Sequence, residues 1–261
     1  MKKEFNIFLT AVMFYTRIPC PAWIDHSDDN LNKATRYFPV IGYIVGAISF
    51  LVGWLSSFIF PVEIAVILTL VAGILTTGAF HEDGLADFFD GFGGGWTKEK
   101  ILDIMKDSRV GTYGMVATIL QLAIKFYAIL TIFKLTLDDP LLLLAIFITT
   151  HALARGTAIQ VSYFIPYVRE DELSKAKPIA KKHTKVTVWS TIILSIAPIF
   201  LLIQWSPMVF LILLPLPFLI WYFTRYLKKW LGGYTGDCLG AVEQIAEVVI
   251  FSSFTVLWKF I

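Results

Sequence analysis

A run of acidic residues and glycines, residues 81–95, carries the side chains best suited to chemistry in this sequence. Asp83, Asp87 and Asp90 are spaced at i, i+4 and i+7, so on a helix they project from one face. Carboxylates at that spacing repel one another by roughly 0.2–0.5 kcal/mol per pair, which favours a cation bound at the face. Because no cysteine lies nearby, the hard oxygen ligands indicate Mg²⁺, with Mn²⁺ as a substitute, rather than zinc.

A divalent cation at this face would allow the aspartates to bind a diphosphate, which is itself anionic. We therefore predict that Asp83, Asp87 and Asp90 are metal ligands and catalytic residues. Glu82 points off the shared face and is retained as a further candidate metal ligand. The alternative is an ordinary solvated helix end. We expect His81 to be a hydrogen-bonding residue at the interface rather than a ligand.

A second glycine-rich stretch, residues 232–241, precedes a predicted helix. Glycines before a helix N-terminus can present backbone N–H groups to a phosphate. Asp237 is predicted to be catalytic, either as a ligand of a second acidic cluster or as the base for a substrate hydroxyl. Glu243 and Glu247 follow it and could face the first cluster. A plain loop with Asp237 as the helix cap is the alternative. The phosphate-binding candidates of this stretch are Gly232, Gly233 and Thr235.

Basic residues near these stretches are candidates for binding substrate phosphate. Arg109 is close in sequence to the aspartates, and a guanidinium suits two-pronged binding of phosphate oxygens. An interfacial anchor is the alternative for Arg109, and Arg155 could extend from its span to the membrane surface. Lys125 and His151 lie within predicted spans, where polar side chains are functional candidates. The remaining phosphate-binding candidates are Lys106, Gly93, Gly94, Arg17 and Arg155.

The composition of the 261-residue chain indicates how these residues are positioned, because it is that of a membrane protein. Hydrophobic residues make up 57% of the chain and charged residues 16%, with a mean hydropathy of +0.70. Globular domains carry about 25% charged residues. The lipid bilayer is therefore a partner, and the net charge of +2 gives no support to nucleic acid as one. Two cysteines provide no disulfide framework.

The hydrophobic pattern predicts an all-α polytopic bundle of about seven transmembrane helices, forming a single catalytic domain over residues 1–261. Short interfacial helices are expected at 5–15 and, with Thr97 as N-cap, at 97–107. Gly42 and Gly46 form a small-xxx-small pair that predicts a close helix contact. Residues 22–36 and 225–239 are predicted to be connections. The predicted spans are 38–60, 62–80, 112–133, 141–163, 187–204, 207–224 and 240–258.

The basic residues assign these spans an orientation. All Lys and Arg except Lys125, Lys134, Arg155 and Lys259 fall on one side, which holds the N-terminus, residues 81–111, the basic loop 164–186 and residues 225–239. By the positive-inside rule that side is cytoplasmic and the C-terminus lies outside. Both glycine-rich acidic stretches then lie at the cytoplasmic face of the membrane.

The most specific motif of the chain is His-Glu-Asp-Gly-Leu-Ala-Asp at 81–87 with Asp-Gly-Phe-Gly-Gly-Gly at 90–95, followed by Ile-Met-Lys-Asp-Ser-Arg-Val-Gly-Thr-Tyr-Gly at 104–114. By this motif the chain resembles the cobalamin synthase family, the adenosylcobinamide-GDP ribazoletransferases, and the resemblance runs over essentially its whole length. Thr-Arg-Ile-Pro at 16–19, Tyr-Phe-Pro at 37–39 and Gly-Gly-Tyr-Thr-Gly-Asp at 232–237 also resemble the family. Glu82 departs from it, because an apolar residue is expected there.

The resemblance implies a Mg²⁺-dependent enzyme of the bacterial inner membrane that completes adenosylcobalamin. It would join adenosylcobinamide-GDP to α-ribazole or its 5′-phosphate and release GMP. A CDP-alcohol phosphotransferase-like enzyme is the nearest alternative, although Asp87 follows Ala86 where that signature has Arg. A cation-coupled transporter is the other, but its site would lie near the bilayer midplane. Association into a homo-oligomer stays open.

Overall fold

The computed structural model describes residues 2–25, 27–169 and 183–259 of the chain. Twelve α-helices are named in these ranges, with 3₁₀ turns at Thr35–Tyr37 and Pro207–Leu213. The helices are α1 Lys2–Tyr15, α2 Asp28–Ala34, α3 Phe38–Ser56, α4 Val62–Thr77, α5 Phe80–Gly94, α6 Lys98–Ile104, α7 Thr112–Thr136, α8 Pro140–Val161, α9 Lys185–Ile196, α10 Ile199–Leu202, α11 Pro215–Leu231 and α12 Gly236–Leu257.

The all-α, polytopic fold class is confirmed. In the described ranges, six helical stretches are long and apolar enough to cross a membrane. A seventh candidate is formed by α4 together with α5, which is bent from it by 89°. We take α4 as the span and α5 as lying outside it, because α5 turns away from the direction of α4 and carries four carboxylates. That the chain forms one catalytic domain stays a prediction.

The bundle is built around α8, whose residues from Leu142 to Val161 are almost all buried. Helix α3 packs tightly on α8, as the glycine pair predicts. A Cβ at Gly46 would lie 2.7 Å from the carbonyl oxygen of Phe147, and one at Gly42 would overlap the backbone at His151. Helices α7, α9 and α11 expose large apolar side chains, which suits a surface that faces lipid.

Two predicted connections are helical in the structure. Residues 28–34 form α2, where the Ser27 hydroxyl accepts a hydrogen bond from the backbone N–H of Asn30. Helix α11 continues to Leu231, so the basic residues after 224 lie on its last two turns and not in a loop. It continues because nothing breaks it before Gly232, which ends it in the left-handed conformation with φ of 77°. In the predicted basic loop, residues 170–182 lie outside the described residues.

The turn between α4 and α5 directs the acidic helix away from its span. Gly78 and Ala79 both adopt the left-handed conformation, with φ of 70° and 58°. Arg17, a predicted phosphate-binding residue, lies against this turn. Its backbone N–H donates to the carbonyl oxygen of Thr76 at 2.8 Å, and any Cβ at Gly78 would overlap its side chain. The segment after α1 therefore holds the turn from outside.

Candidate active site

Helix α5 presents its carboxylates at three different depths. Asp83 is exposed, Asp87 is half-buried, and Asp90 is buried with 8% of its surface accessible. The i, i+4, i+7 spacing does give one face, but Asp90 packs against the start of α7. Asp83 and Asp87 are therefore the more accessible of the three aspartates.

Close packing of α5 on α12 brings Asp237 to this face. A Cβ at Gly84 would lie 3.1 Å from the Cα of Asp237 and 3.4 Å from that of Gly240, so the absence of side chains permits the contact. Burial, together with the charges of Asp237 and Asp83, raises the pKa of Asp87 to about 7. The structure thus joins Asp83, Asp87 and Asp237 in one crowded group of carboxylates, which we call the acidic face.

Asp90 makes backbone contacts that the sequence did not predict. One carboxylate oxygen accepts the backbone N–H of Gly111 at 2.7 Å and the other accepts that of Gly114 at 2.8 Å. These are N–H groups at the start of α7 that have no partner within that helix. Asp90 therefore caps α7 from a neighbouring helix, and both of its oxygens are already engaged.

Arg169 is the cation that the structure places at the acidic face. Its Nη2 lies 3.0 Å from Oδ2 of Asp237 and donates to the carbonyl oxygen of Met105 at 3.1 Å. The residue was not singled out from the sequence, where it is one of six basic residues in the loop 164–186. The one signal that distinguishes it is that Tyr167 and Val168 precede it, whereas the other basic residues of the loop are lysines.

The glycines of the second glycine-rich stretch end a helix and permit a close backbone contact, and they do not form an open phosphate-binding loop. Gly232 ends α11, and a Cβ at Gly233 would collide with the carbonyl oxygen of Pro166. The N-cap of α12 is Thr235, not Asp237, since the Thr235 hydroxyl accepts the N–H of Cys238 at 3.3 Å. Asp237 lies in the first helical turn, which frees its carboxylate to face α5.

Two other sets of predicted phosphate-binding residues make their contacts at the end of α5 and beside α6. Arg109 is 86% exposed and pairs with Asp107 at 2.6 Å, and this hydrogen bonding lowers the pKa of Asp107 to about 2. Lys106 and Arg109 line an open surface groove beside α6. Gly93 and Gly94 belong to the last turn of α5, and a Cβ at either would contact Tyr113 or Ile104. Gly93 therefore serves helix packing, while Gly94 lines the groove with Lys106 and Arg109.

A network of buried ion pairs lies inside the bundle, and it contains Arg155. Arg155 is 1% exposed, so it does not extend to the membrane surface. Its Nη1 lies 2.9 Å from Glu243 and 3.1 Å from Glu247, and its guanidinium stacks over the ring of Phe38 at 5.8 Å. Phosphate binding by Arg155 at the acidic face has no support in this geometry.

The same network includes polar residues of α7 and α8. Lys125 Nζ lies 2.6 Å from Glu247 and donates to Gln244 at 2.9 Å, while His151 binds the other oxygen of Glu247. The expectation that Glu243 and Glu247 face the first acidic cluster is therefore wrong. They face inward to cations from the neighbouring helices.

Glu82 and His81 belong to this interior and not to the metal face. Both line a narrow cavity together with Lys125, His151 and Arg155. The volume of this cavity is about 20 Å³. His81 is 2% exposed, and neither ring nitrogen has a hydrogen-bond partner among the described residues, so it is not an interfacial residue. Glu82 is mostly buried, and one of its carboxylate oxygens has no hydrogen-bond partner among the described residues. This position does not match the expectation of a metal ligand on the aspartate face or of a solvated residue beside it.

The predicted four-residue metal set is not assembled. In residues 2–25, 27–169 and 183–259, no group of three or more His, Cys, Asp or Glu side chains is placed to hold a metal ion by itself. Mg²⁺, however, commonly takes one or two protein carboxylates together with substrate phosphates and water. The acidic face offers hard oxygen donors with only partial charge compensation, so its residues fit Mg²⁺, whereas Glu82 lines the interior cavity and both oxygens of Asp90 accept backbone N–H groups.

Comparison with known proteins identifies the family. A model of the cobalamin-5-phosphate synthase family matches residues 7–255. The chain belongs to this family. The resemblance noted in the sequence is thereby confirmed.

Relatives of similar length share this likeness across nearly the whole chain. An adenosylcobinamide-GDP ribazoletransferase of Leptospira interrogans is 40% identical, covering 99% of this chain and 98% of the relative. Ribazoletransferases of Shewanella frigidimarina and Shewanella amazonensis are both 42% identical. They cover 95% and 99% of this chain, and 94% and 98% of the relatives. No solved structure matches the chain significantly.

Proposed function

We propose that this chain is an adenosylcobinamide-GDP ribazoletransferase that carries out the last step of adenosylcobalamin assembly. The observation that carries the proposal is the full-length identity of about 40% to enzymes of that name. A ribose hydroxyl of α-ribazole, or of its 5′-phosphate, attacks the phosphorus attached to cobinamide. The bond from that phosphorus to the bridging oxygen breaks, GMP leaves with the bridging oxygen, and the hydroxyl proton passes to a base or to water.

The acidic face is the region of the chain best suited to this reaction. Asp83 and Asp87 on α5 and Asp237 on α12 would hold Mg²⁺, which when bound supplies positive charge to the diphosphate oxygens and to the departing GMP. Asp237 is either one of these ligands or the acceptor of the hydroxyl proton. The first turn of α12 directs the positive end of a long helix to the same place, and Gly236 leaves its backbone open.

The orientation in the membrane is part of the proposal. We infer that the chain lies in a bacterial inner membrane, with its N-terminus and acidic face cytoplasmic and its C-terminus outside. The basic residues support this arrangement, because most of them fall in the segments predicted to lie on the same side of the membrane as the two acidic stretches. A cytoplasmic acidic face also suits substrates that carry phosphate groups and are soluble in water.

The test is an assay of the full chain in proteoliposomes with adenosylcobinamide-GDP, α-ribazole and Mg²⁺. We expect release of GMP together with formation of adenosylcobalamin. Chelation of divalent cations should stop turnover, and readdition of Mg²⁺ or Mn²⁺ should restore it. Glu99→Ala, which removes an exposed carboxylate from α6, is the matched control and should leave turnover unchanged. No GMP release from active-site-intact protein would overturn the proposal.

A further inference from the structure

Arg109, Arg155 and Arg169 each pair with a carboxylate, and Arg169 is the one that contacts the acidic face. Arg109 is 86% exposed and pairs with Asp107, while Arg155 pairs with glutamates inside the bundle. Arg169 is 17% exposed, and its Nη2 lies 3.0 Å from Asp237. The sequence predicts Arg109 as the guanidinium that binds phosphate, but the arginine at the acidic face is Arg169, which belongs to a different loop.

Backbone pairing fixes Arg169 relative to α12. Residues 167 and 234 form a parallel bridge, in which the N–H of Val168 donates to Tyr234 at 3.0 Å and the N–H of Tyr234 donates to Pro166 at 2.9 Å. Gly233 permits this approach. Because Tyr234 is one residue before the N-cap of α12, the pairing places Arg169 next to the first turn of that helix.

The guanidinium keeps donor capacity for a further anion. Its Nη2 serves both Asp237 and the carbonyl oxygen of Met105, which ties it to α12 and to the end of α6. Its Nε is buried and has no acceptor in the described part of the chain. A buried N–H of this kind needs an acceptor, and the planar guanidinium matches two phosphate oxygens at once.

We propose that Arg169 binds the diphosphate of the nucleotide-bearing substrate and, without substrate and metal, neutralises Asp237. The inference rests on the proposed function, since it assigns a residue to that site. A divalent cation bound to Asp237 would neutralise that carboxylate in place of the guanidinium. Arg169 would then be free to bind the diphosphate beside it. Arg169 is then a substrate-binding residue that competes with the metal for one carboxylate.

The first test measures metal binding alone, with Mn²⁺ as the probe and purified full-length chain in detergent. Loss of the free Mn²⁺ signal in electron paramagnetic resonance gives the affinity. Arg169→Gln removes a cation that opposes Mn²⁺, so its affinity should equal or exceed that of the wild type. A loss of Mn²⁺ binding in Arg169→Gln would show that the arginine only supports the carboxylates, and it would overturn the inference.

The second test measures substrate binding with Mg²⁺ present. In Arg169→Gln the affinity for GDP, and 1/KM for adenosylcobinamide-GDP, should each fall about tenfold or more, the size expected for losing a charge-assisted phosphate contact. Arg169→Lys keeps the charge and should recover part of the loss. Arg225→Gln, which removes an exposed guanidinium from α11, is the control. Unchanged GDP affinity and KM in Arg169→Gln would also overturn the inference.

The two proposals fail in different ways. If the wild type binds GDP in an Arg169-dependent manner but releases no GMP in the full assay, the ribazoletransferase proposal is wrong and the binding role of Arg169 stands. If the wild type is active and Arg169→Gln keeps its GDP affinity and KM, the reverse holds.

Discussion

Carboxylates on α12 occupy two opposite environments only two to three helical turns apart. At the acidic face, Asp237 meets Asp83 and Asp87, and one arginine contacts the group. Inside the bundle, Glu243 and Glu247 meet Arg155, Lys125 and His151. The interior charges are compensated by the protein itself, whereas those at the acidic face are compensated only in part, by Arg169.

This difference separates architecture from chemistry. Buried ion pairs are costly to form but strongly destabilising to break on one side, so a paired network holds helices together. Crowded carboxylates without enough counter-charge destabilise the free protein and persist where a ligand supplies the missing charge. Perturbed acidic residues on the same helix therefore serve different ends, and their partners, not their residue type, distinguish them.

The largest effect should come from the acidic face. Asp87→Ala removes a proposed metal ligand at the centre of the group, and turnover should fall by about a thousandfold or more. Thermal unfolding of the same variant should be unchanged or occur at higher temperature, because like charges are separated. GMP release and melting in detergent check the two parts. Near-normal turnover would remove Asp87 from the metal site.

The next effect should be on stability and should come from the network. Glu247→Gln leaves Lys125 and Arg155 without full compensation, which should cost about 3–5 kcal/mol of unfolding free energy. Denaturant unfolding of the purified chain measures it. Glu63→Gln, which breaks the exposed pair with Lys134, is the control and should leave stability unchanged. Equal effects of both changes would contradict the comparison.

A smaller loss should follow from Asp90→Ala, because Asp90 caps α7. Removal of a cap costs about 1–2 kcal/mol. Mn²⁺ affinity, measured in the same preparation, should hold, since Asp90 is outside the acidic face. Asp90→Asn should recover part of the stability. If Mn²⁺ binding disappears while stability is kept, Asp90 returns to the set of metal ligands.

The smallest effect should come from Glu82→Gln. Glu82 lines the interior cavity and lies away from the acidic face, so turnover and metal affinity should match those of the wild type. The metal-binding and GMP-release assays test this directly. A metal affinity that drops with this change would place Glu82 back among the ligands and would blur the distinction between the two regions.

Much of this arrangement could be predicted from local pattern. The spans follow from hydrophobic length, the shared face of Asp83 and Asp87 from their helical spacing, and a close helix contact by α3 from Gly42 and Gly46. The Thr97 cap of α6 is also confirmed, since its hydroxyl accepts the N–H of Lys100 at 3.3 Å. Each of these depends on residues close together in the chain.

The rest depends on contacts between distant segments. Nothing near Asp90 shows that its oxygens bind N–H groups of residues 111 and 114. Arg169 reaches Asp237 only because residue 167 pairs with residue 234. Helical spacing placed Glu82 off the aspartate face, but it could not say that the other side is a buried cavity. Tertiary packing decides all three cases.

The turn of 89° between α4 and α5 also sets the depth of the site. Because α5 runs across the direction of its span rather than along it, Asp83 and Asp87 lie at nearly the same level of the membrane. A substrate then meets these two carboxylates side by side on an open surface, and not one below the other in a channel. We expect that a large, water-soluble molecule reaches such a surface from the side, without passing between helices.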